Sequence, residues 1–105
     1  MTMRNDVTDS MAHLAIRDIN EKYRYEDTNP QGKRDPSLVS CGQCGNYNEL
    51  IHIYDSKLKP HVENGSITCT QATDALDECC KELPSPRKRT VFYKKLSEKL
   101  GIEIS

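Results

Sequence analysis

The sequence predicts a mainly α protein: a small four-helix domain with a Cys-x-x-Cys zinc-knuckle loop between the first and second helices. Two observations lead to this prediction. Apolar residues recur at helical spacing in four stretches, and runs rich in Pro, Gly and polar residues separate these stretches. In addition, the motif Cys41-Gly-Gln-Cys44 falls between the first two stretches and supplies two closely spaced thiols.

The first helix is predicted from about Asp9 to Arg24, after a flexible segment at residues 1–8. Its apolar residues are four, three and four positions apart and line one face. They are Ala12, Ile16, Ile19 and Tyr23. Residues 25–37 contain two prolines and a glycine without periodicity, so they are predicted to form a loop. A short extended piece is predicted at residues 37–40.

The second helix has the strongest helical pattern, and Pro60 together with residues 63–66 is predicted to end it. Its apolar face comprises Tyr47, Leu50, Ile51, Tyr54 and Leu58. The third helix is predicted from about Thr70 to Leu83, because prolines follow at positions 84 and 86. Its apolar face comprises Ala72, Leu76, Cys79, Cys80 and Leu83.

The last helix is predicted from Lys88 to Leu100, with Gly101 as a left-handed stop. Its buried face comprises Phe92, Leu96 and Leu100. The basic stretch at residues 87–101 contains this helix. A length of 105 residues is typical of one domain, so residues 1–105 are predicted to form a single unit.

The composition predicts a thin core and an intracellular location. The chain is 35% apolar and 30% charged, with a mean hydropathy of −0.76, and such small domains commonly recruit a metal or disulfides. No apolar run is long enough for a signal peptide or a membrane span, so a cytoplasmic or nuclear location without membrane contact is expected. In a reducing compartment, clustered cysteines are expected to bind metal or act as redox thiols.

Cys41 and Cys44 are each followed by glycine, which favours a zinc knuckle because two thiolates must converge on one ion at a tight turn. Two more ligands would complete a tetrahedral zinc site, and the residues leave two sets open. The local set is His52 and His61, and the distant set is Cys69 with Cys79 or Cys80. For the two histidines, an ordinary surface or half-buried position is the simpler interpretation.

Only one of the adjacent cysteines at positions 79 and 80 is expected to reach a metal. On a helix of ~3.6 residues per turn, neighbouring side chains diverge by about 100°. A free cysteine behaves as a small apolar residue, so the other is expected to pack in the core.

The run Cys41-Gly42-Gln43-Cys44 also resembles the dithiol motif of thioredoxin-type oxidoreductases, in which the two cysteines precede a helix. The resemblance covers four residues. It implies a thiol–disulfide redox protein that uses Cys41 and Cys44, and this is the alternative to zinc. An iron–sulfur cluster held by four of the five cysteines ranks third, because their spacing matches no familiar ferredoxin pattern.

Charge is divided unevenly along the chain. Residues 1–80 carry eight Lys/Arg and thirteen Asp/Glu, a net charge of −5, whereas residues 81–105 carry seven and three, a net charge of +4. The basic helix therefore predicts contact with nucleic acid or with an acidic protein surface. The residues expected to make this contact are Arg87, Lys88, Arg89, Tyr93, Lys94 and Lys95.

The function predicted from these features is that of a small zinc-binding regulatory adaptor. It would contact nucleic acid, or a nucleic-acid-processing or transcription enzyme, through its basic helix, as viral and phage accessory proteins do. An enzyme is not expected, since the chain has no glycine-rich phosphate loop, no defensible Ser-His-Asp order and no His-Glu-x-x-His. A small-molecule substrate is not expected either.

Overall fold

The computed structural model describes residues 2–26, 37–42 and 48–104 of the protein, apart from the side chains of residues 2–9 and 26. The mainly helical fold class is confirmed within these residues. The elements in chain order are α1 (Thr2–Lys22), a 3-10 turn (Arg24–Glu26), β1 (Leu38–Val39), α2 (Glu49–Ile53), a π-helical turn (Tyr54–Leu58), α3 (Lys59–Glu63), α4 (Cys69–Glu82), β2 (Arg87–Lys88) and α5 (Arg89–Leu100).

Helix α1 begins at Thr2 rather than near Asp9, so the segment predicted to be flexible is helical. Residues 2–8 contain neither Pro nor Gly, the two residues that most strongly oppose a helix. The predicted apolar face is otherwise confirmed. Ala12, Ile16 and Ile19 are buried, and they pack α1 mainly against α4.

The second helical stretch runs from Glu49 to Glu63, so it ends at residues 63–66 as predicted, but Pro60 does not interrupt it. Between α2 and α3 the helix widens into a π-helical turn, and the N–H of Lys59 bonds to the carbonyl of Tyr54, five residues earlier. Pro60 then occupies the first turn of α3, where a missing N–H costs no helical hydrogen bond. Of the predicted apolar face, Leu50, Tyr54 and Leu58 are fully buried and Ile51 is half-buried, while Tyr47 lies outside the described residues.

Helices α4 and α5 begin and end close to the predicted positions. Thr68 caps α4: its side chain accepts a hydrogen bond from the N–H of Gln71, whose side chain accepts one from the N–H of Thr68. At the end of α5, Gly101 adopts a φ of 69°, which confirms the predicted left-handed stop. Phe92 of α5 is fully buried against the core.

A small antiparallel sheet joins two distant parts of the chain. Leu38 of β1 lies opposite Lys88 of β2, and Val39 lies opposite Arg87. The extended piece at residues 37–40 was predicted, whereas its partner strand was not. The sheet brings the start of α5 beside the residues that lead into Cys41. No helix in the described ranges has the length and apolar character needed to cross a membrane.

Candidate thiol–disulfide site

Cys41, the first cysteine of the Cys-x-x-Cys motif, is bonded to Cys80 in the last turns of α4. The two Cα atoms are 6.1 Å apart, and the bond closes a sequence separation of 39 residues. Each of the two residues is only 1% exposed. The disulfide is therefore a buried link between the segment that follows β1 and the C-terminal half of α4.

This pairing overturns the zinc prediction. Zinc binds cysteine as a thiolate, and a sulfur already in a disulfide has no thiolate to offer. Among residues 2–26, 37–42 and 48–104, no group of three or more His, Cys, Asp and Glu side chains is placed to hold a metal ion. Zinc as a cofactor and the zinc-knuckle loop are therefore wrong. Cys44 lies outside the described residues.

The other predicted ligands lie on separate helices. Cys69 is the half-buried first residue of α4, and Cys79 is fully buried in the core. His52 is exposed on α2, and His61 is half-buried on α3. Neither predicted set, His52 with His61 or Cys69 with a second cysteine, is gathered around Cys41 as zinc would require.

The adjacent cysteines of α4 divide as helical geometry predicts. Cys80 forms the disulfide, while Cys79 keeps its thiol and packs among apolar side chains. Burial raises the pKa of the Cys79 thiol from 9.0 to about 12, because the thiolate would lose its hydration. Cys79 is therefore poorly suited to attack the neighbouring disulfide at neutral pH.

A buried polar side chain holds the carbonyl oxygen of each disulfide-bonded cysteine. The Nδ2 atom of Asn20, on α1, donates a 2.6 Å hydrogen bond to the carbonyl of Cys41. A guanidinium nitrogen of Arg87, on β2, donates a 2.8 Å hydrogen bond to the carbonyl of Cys80. Asn20 is 1% exposed and Arg87 is 4% exposed. These bonds link α1 to Cys41 and β2 to Cys80.

Asn20 also contacts described residues on both sides of positions 43–47. Its Oδ1 atom accepts a hydrogen bond from the side chain of Asn48. Asn48 in turn begins α2, where its own Oδ1 accepts a hydrogen bond from the N–H of Ile51. One side chain of α1 thus contacts both Cys41 and Asn48, which lie on either side of positions 43–47.

Gly42 is pressed against the end of α1. A Cβ atom built on Gly42 would lie 2.1 Å from the carbonyl oxygen of Tyr23 and 2.8 Å from its carbonyl carbon. Both atoms belong to the backbone, so a side chain at this position would require the chain to shift. The glycine after Cys41 therefore serves close packing against α1.

Several cations of the basic stretch at residues 87–101 form ion pairs or hydrogen bonds within the protein. This does not support the predicted nucleic-acid interface. Arg87 is buried, with its guanidinium carbon 5.3 Å from the centre of the Tyr23 ring. Arg89 pairs with Glu49 at 2.9 Å, and it also donates hydrogen bonds to Tyr93 and to the carbonyl of Leu38. These two arginines stabilise the fold, and reversing their charge would test folding rather than recognition.

The remaining predicted contact residues differ in their surroundings. The Nζ atom of Lys95 lies 3.2 Å from a carboxylate oxygen of Glu82 on α4, so Lys95 forms an ion pair within the protein. Lys88 and Lys94 are exposed, and no ion pair involves either within the described part of the chain. Only these two lysines present charge outward in the way that the sequence predicted.

Two residues that matter for this site were not predicted from the sequence. Asn20 follows Ile16 by four positions and therefore falls on the apolar face of α1, and a polar residue there was the available signal. Glu49 is an acidic residue in the first turn of a helix, which is a common surface position. Nothing in its sequence surroundings predicts its burial against Arg89.

The chain matches no protein-family model, no curated protein and no solved structure.

Proposed function

We propose that this chain is a thiol–disulfide redox protein of a regulatory kind, in which the Cys41–Cys80 bond is made and broken to change the state of the fold. The observation that supports the proposal is the bond itself. It links the first cysteine of a Cys-x-x-Cys motif to a different element of the fold, α4. A second cysteine, Cys44, follows Cys41 by three positions in the sequence.

The proposed reaction is ordinary thiol–disulfide exchange. A thiolate of an external dithiol attacks one sulfur of the disulfide, and the other sulfur leaves as a thiolate and takes up a proton. The second thiolate of the dithiol then attacks the mixed disulfide and releases the second cysteine. Two electrons pass to the protein, which gains two thiols, and the reductant leaves as a disulfide. A low-molecular-weight disulfide runs the reaction in reverse.

Burial of the disulfide favours a switch over a turnover enzyme. At 1% exposure, Cys41 and Cys80 can be reached by a reductant only after the surrounding segment opens locally. Each reaction cycle would wait for that opening, which limits the rate. Slow exchange suits a protein that responds to a change in redox conditions.

The test is a redox titration of the full chain in mixtures of reduced and oxidised glutathione. Free thiols are alkylated at each point, and the modified residues are identified by peptide mass spectrometry. We expect reversible conversion at a potential between about −300 and −180 mV, the range of proteins that exchange with thiols in cells. A bond that stays oxidised below about −300 mV would be an inert structural link and would overturn the proposal.

The role of Cys44 needs a separate variant. If Cys44 attacks the sulfur of Cys41, a Cys41–Cys44 bond forms and Cys80 leaves as a thiolate with no net change of oxidation state. An external thiol then reduces the new bond, so Cys44→Ser should slow reduction while leaving the Cys41–Cys80 bond in place. Cys69→Ser is the matched control, since Cys69 lies at the opposite end of α4 from Cys80. Equal rates for wild type and Cys44→Ser would remove Cys44 from the reaction and leave direct exchange with the external thiol.

A second candidate function is that of a metal-free regulatory adaptor which binds an acidic protein surface. The observation in its favour lies on α5 and just before it, where Lys88 and Lys94 are exposed on either side of Val91. Val91 is 46% exposed, so the patch offers an apolar contact between two positive charges. This combination suits a protein partner better than a phosphate backbone, which requires charge alone.

The adaptor candidate is tested with the double variant Lys88→Glu/Lys94→Glu and the control Lys57→Glu on the π-helical turn. The probes are an immobilised acidic peptide and a duplex oligonucleotide, both at low salt. We expect the Lys88→Glu/Lys94→Glu variant to lose retention on the peptide and the Lys57→Glu variant to keep it. If the wild type is retained on the oligonucleotide but not on the peptide, nucleic acid is the favoured partner. If the double variant is retained as well as the wild type on both probes, this surface is not the binding site.

A further inference from the structure

We propose that Asn20 and Arg87 are positioning residues for the chemistry of the disulfide, and that they set the equilibrium between the Cys41–Cys80 bond and two thiols. The inference rests on the proposed redox function. It assigns each cysteine its own positioning side chain, Asn20 for Cys41 and Arg87 for Cys80. Neither residue carries a thiol.

Asn20 restrains Cys41 from the side of α1. Its amide is buried and donates a 2.6 Å hydrogen bond to the carbonyl of Cys41, the residue that carries the reacting sulfur. The same amide accepts a hydrogen bond from Asn48, so its own orientation is fixed. Tyr23 follows Asn20 by three residues, and its carbonyl lies against Gly42. This contact restricts movement of Gly42, the residue that follows Cys41.

Arg87 restrains Cys80 from the side of β2. Its guanidinium donates a 2.8 Å hydrogen bond to the carbonyl of Cys80 and also lies over the ring of Tyr23. Arg87 is itself paired with Val39, two residues before Cys41, in the small sheet. Arg87 is therefore connected to both cysteines, to Cys80 by its side chain and to the Cys41 segment by its backbone.

These restraints act on the redox equilibrium through the effective concentration of the two thiols. In the reduced, folded protein, the disulfide re-forms more readily when the two sulfurs are held near each other than when either segment can move away. Hydrogen bonds that fix the backbone of both cysteines therefore favour the oxidised form. Losing one of them allows the reduced form to relax and shifts the equilibrium toward the thiols.

The experiment measures the equilibrium constant of the folded protein with glutathione for Asn20→Asp and Arg87→Met. Asp has nearly the shape of Asn, but its ionised carboxylate cannot donate to the carbonyl of Cys41, and Met removes the guanidinium donor. We expect each variant to lower the constant for disulfide formation by about three- to tenfold, as the loss of one buried hydrogen bond predicts. Arg87→Lys keeps a cationic donor and should recover part of the wild-type value.

Thr68→Ala is the matched control, because it removes the cap of α4 and lowers stability without touching the disulfide. Its urea midpoint should fall while its redox constant stays at the wild-type value. If Asn20→Asp does not fold, Asn48→Ala provides the second variant. It loosens Asn20 but leaves the Asn20–Cys41 bond possible, so a smaller shift in the same direction is expected.

The outcomes separate this inference from the proposed function. A reducible wild type whose redox constant is unchanged in the Asn20 and Arg87 variants would overturn the positioning roles and leave the redox function standing. Shifts no larger than that of Thr68→Ala would have the same meaning. A wild-type bond that cannot be reduced in the folded protein would overturn the redox function and, with it, the present inference.

Discussion

Arg89 at the start of α5 and Glu49 at the start of α2 form an ion pair, with 2.9 Å between the guanidinium nitrogen and the carboxylate oxygen. The side chain of Glu49 is 6% exposed and that of Arg89 is 24% exposed. The carboxylate raises the pKa of Arg89, so the guanidinium keeps its charge. This pair connects α2 to α5, the helix that follows strand β2.

Replacing Arg89 should destabilise the protein strongly. Arg89→Leu removes this cation from the buried Glu49 carboxylate, and the loss of one partner from a buried pair costs about 3 kcal/mol or more. Urea unfolding measures the effect, with the exposed Lys94→Leu on the same helix as the control. If the two variants differ by less than about 0.5 kcal/mol, which is typical of surface positions, the ion pair contributes little.

Replacing Gly42 should disturb both the fold and the disulfide. In Gly42→Ala the new methyl group meets the backbone of Tyr23, and such overpacking costs about 1–3 kcal/mol. Because Cys41 is the preceding residue, we also expect a smaller fraction of the Cys41–Cys80 bond after air oxidation. Peptide mass spectrometry measures this fraction.

Gly65→Ala is the control for the Gly42 variant. Gly65 has a φ of 84°, and a Cβ atom at this position would have no neighbouring atom within 4 Å, so only backbone strain is added there. This variant should lose some stability and keep the full disulfide. A Gly42→Ala protein with a normal disulfide content would show that the segment can move away from α1.

Stability should fall at alkaline pH because of Cys79. Its pKa is raised from 9.0 in the unfolded chain to about 12 in the folded protein, so the unfolded state releases the proton first. The contribution of Cys79 is therefore complete below pH 9.0 and is lost as the pH rises toward about 12. Cys79→Ala should lose less stability than wild type over this interval in urea unfolding. If the free energy of unfolding falls with pH equally in wild type and Cys79→Ala, other groups cause the alkaline loss of stability.

Stability at acid pH should depend on Glu82. The Nζ atom of Lys99 lies 2.7 Å from one carboxylate oxygen of Glu82 and that of Lys95 lies 3.2 Å from the other, and these hydrogen bonds lower the pKa of Glu82 below 4.5. Its contribution is present above pH 4.5 and is lost as the pH falls through the folded-state pKa.

Glu82→Gln should therefore flatten the acid side of a plot of melting temperature against pH. The carboxylate is exposed, so the effect is modest and should shrink in about 1 M salt, where the screening length is about 3 Å. Glu98→Gln, an exposed position on α5, is the control. If Glu98→Gln changes the curve as much as Glu82→Gln, the lysine contacts are not responsible.

The sequence alone predicted the four helical stretches, because apolar spacing is a local pattern, but it did not predict all of their ends. Apolar spacing placed the buried faces of all four helical stretches, and Gly101 marked the end of α5. Pro60 misled the prediction, because a π-helical turn places it where its missing N–H is harmless. The early start of α1 was missed because the apolar face begins only at Ala12.

The chemistry of the cysteines was decided by the tertiary structure. Spacing showed that Cys41 and Cys44 are close along the chain, but it contains no information about which thiol from a distant helix approaches Cys41. That choice depends on the packing of α1 against α4 and on the sheet that places Arg87 beside Val39. A disulfide forms between sulfurs that the fold brings within bonding distance, and here the fold brings Cys80 to Cys41.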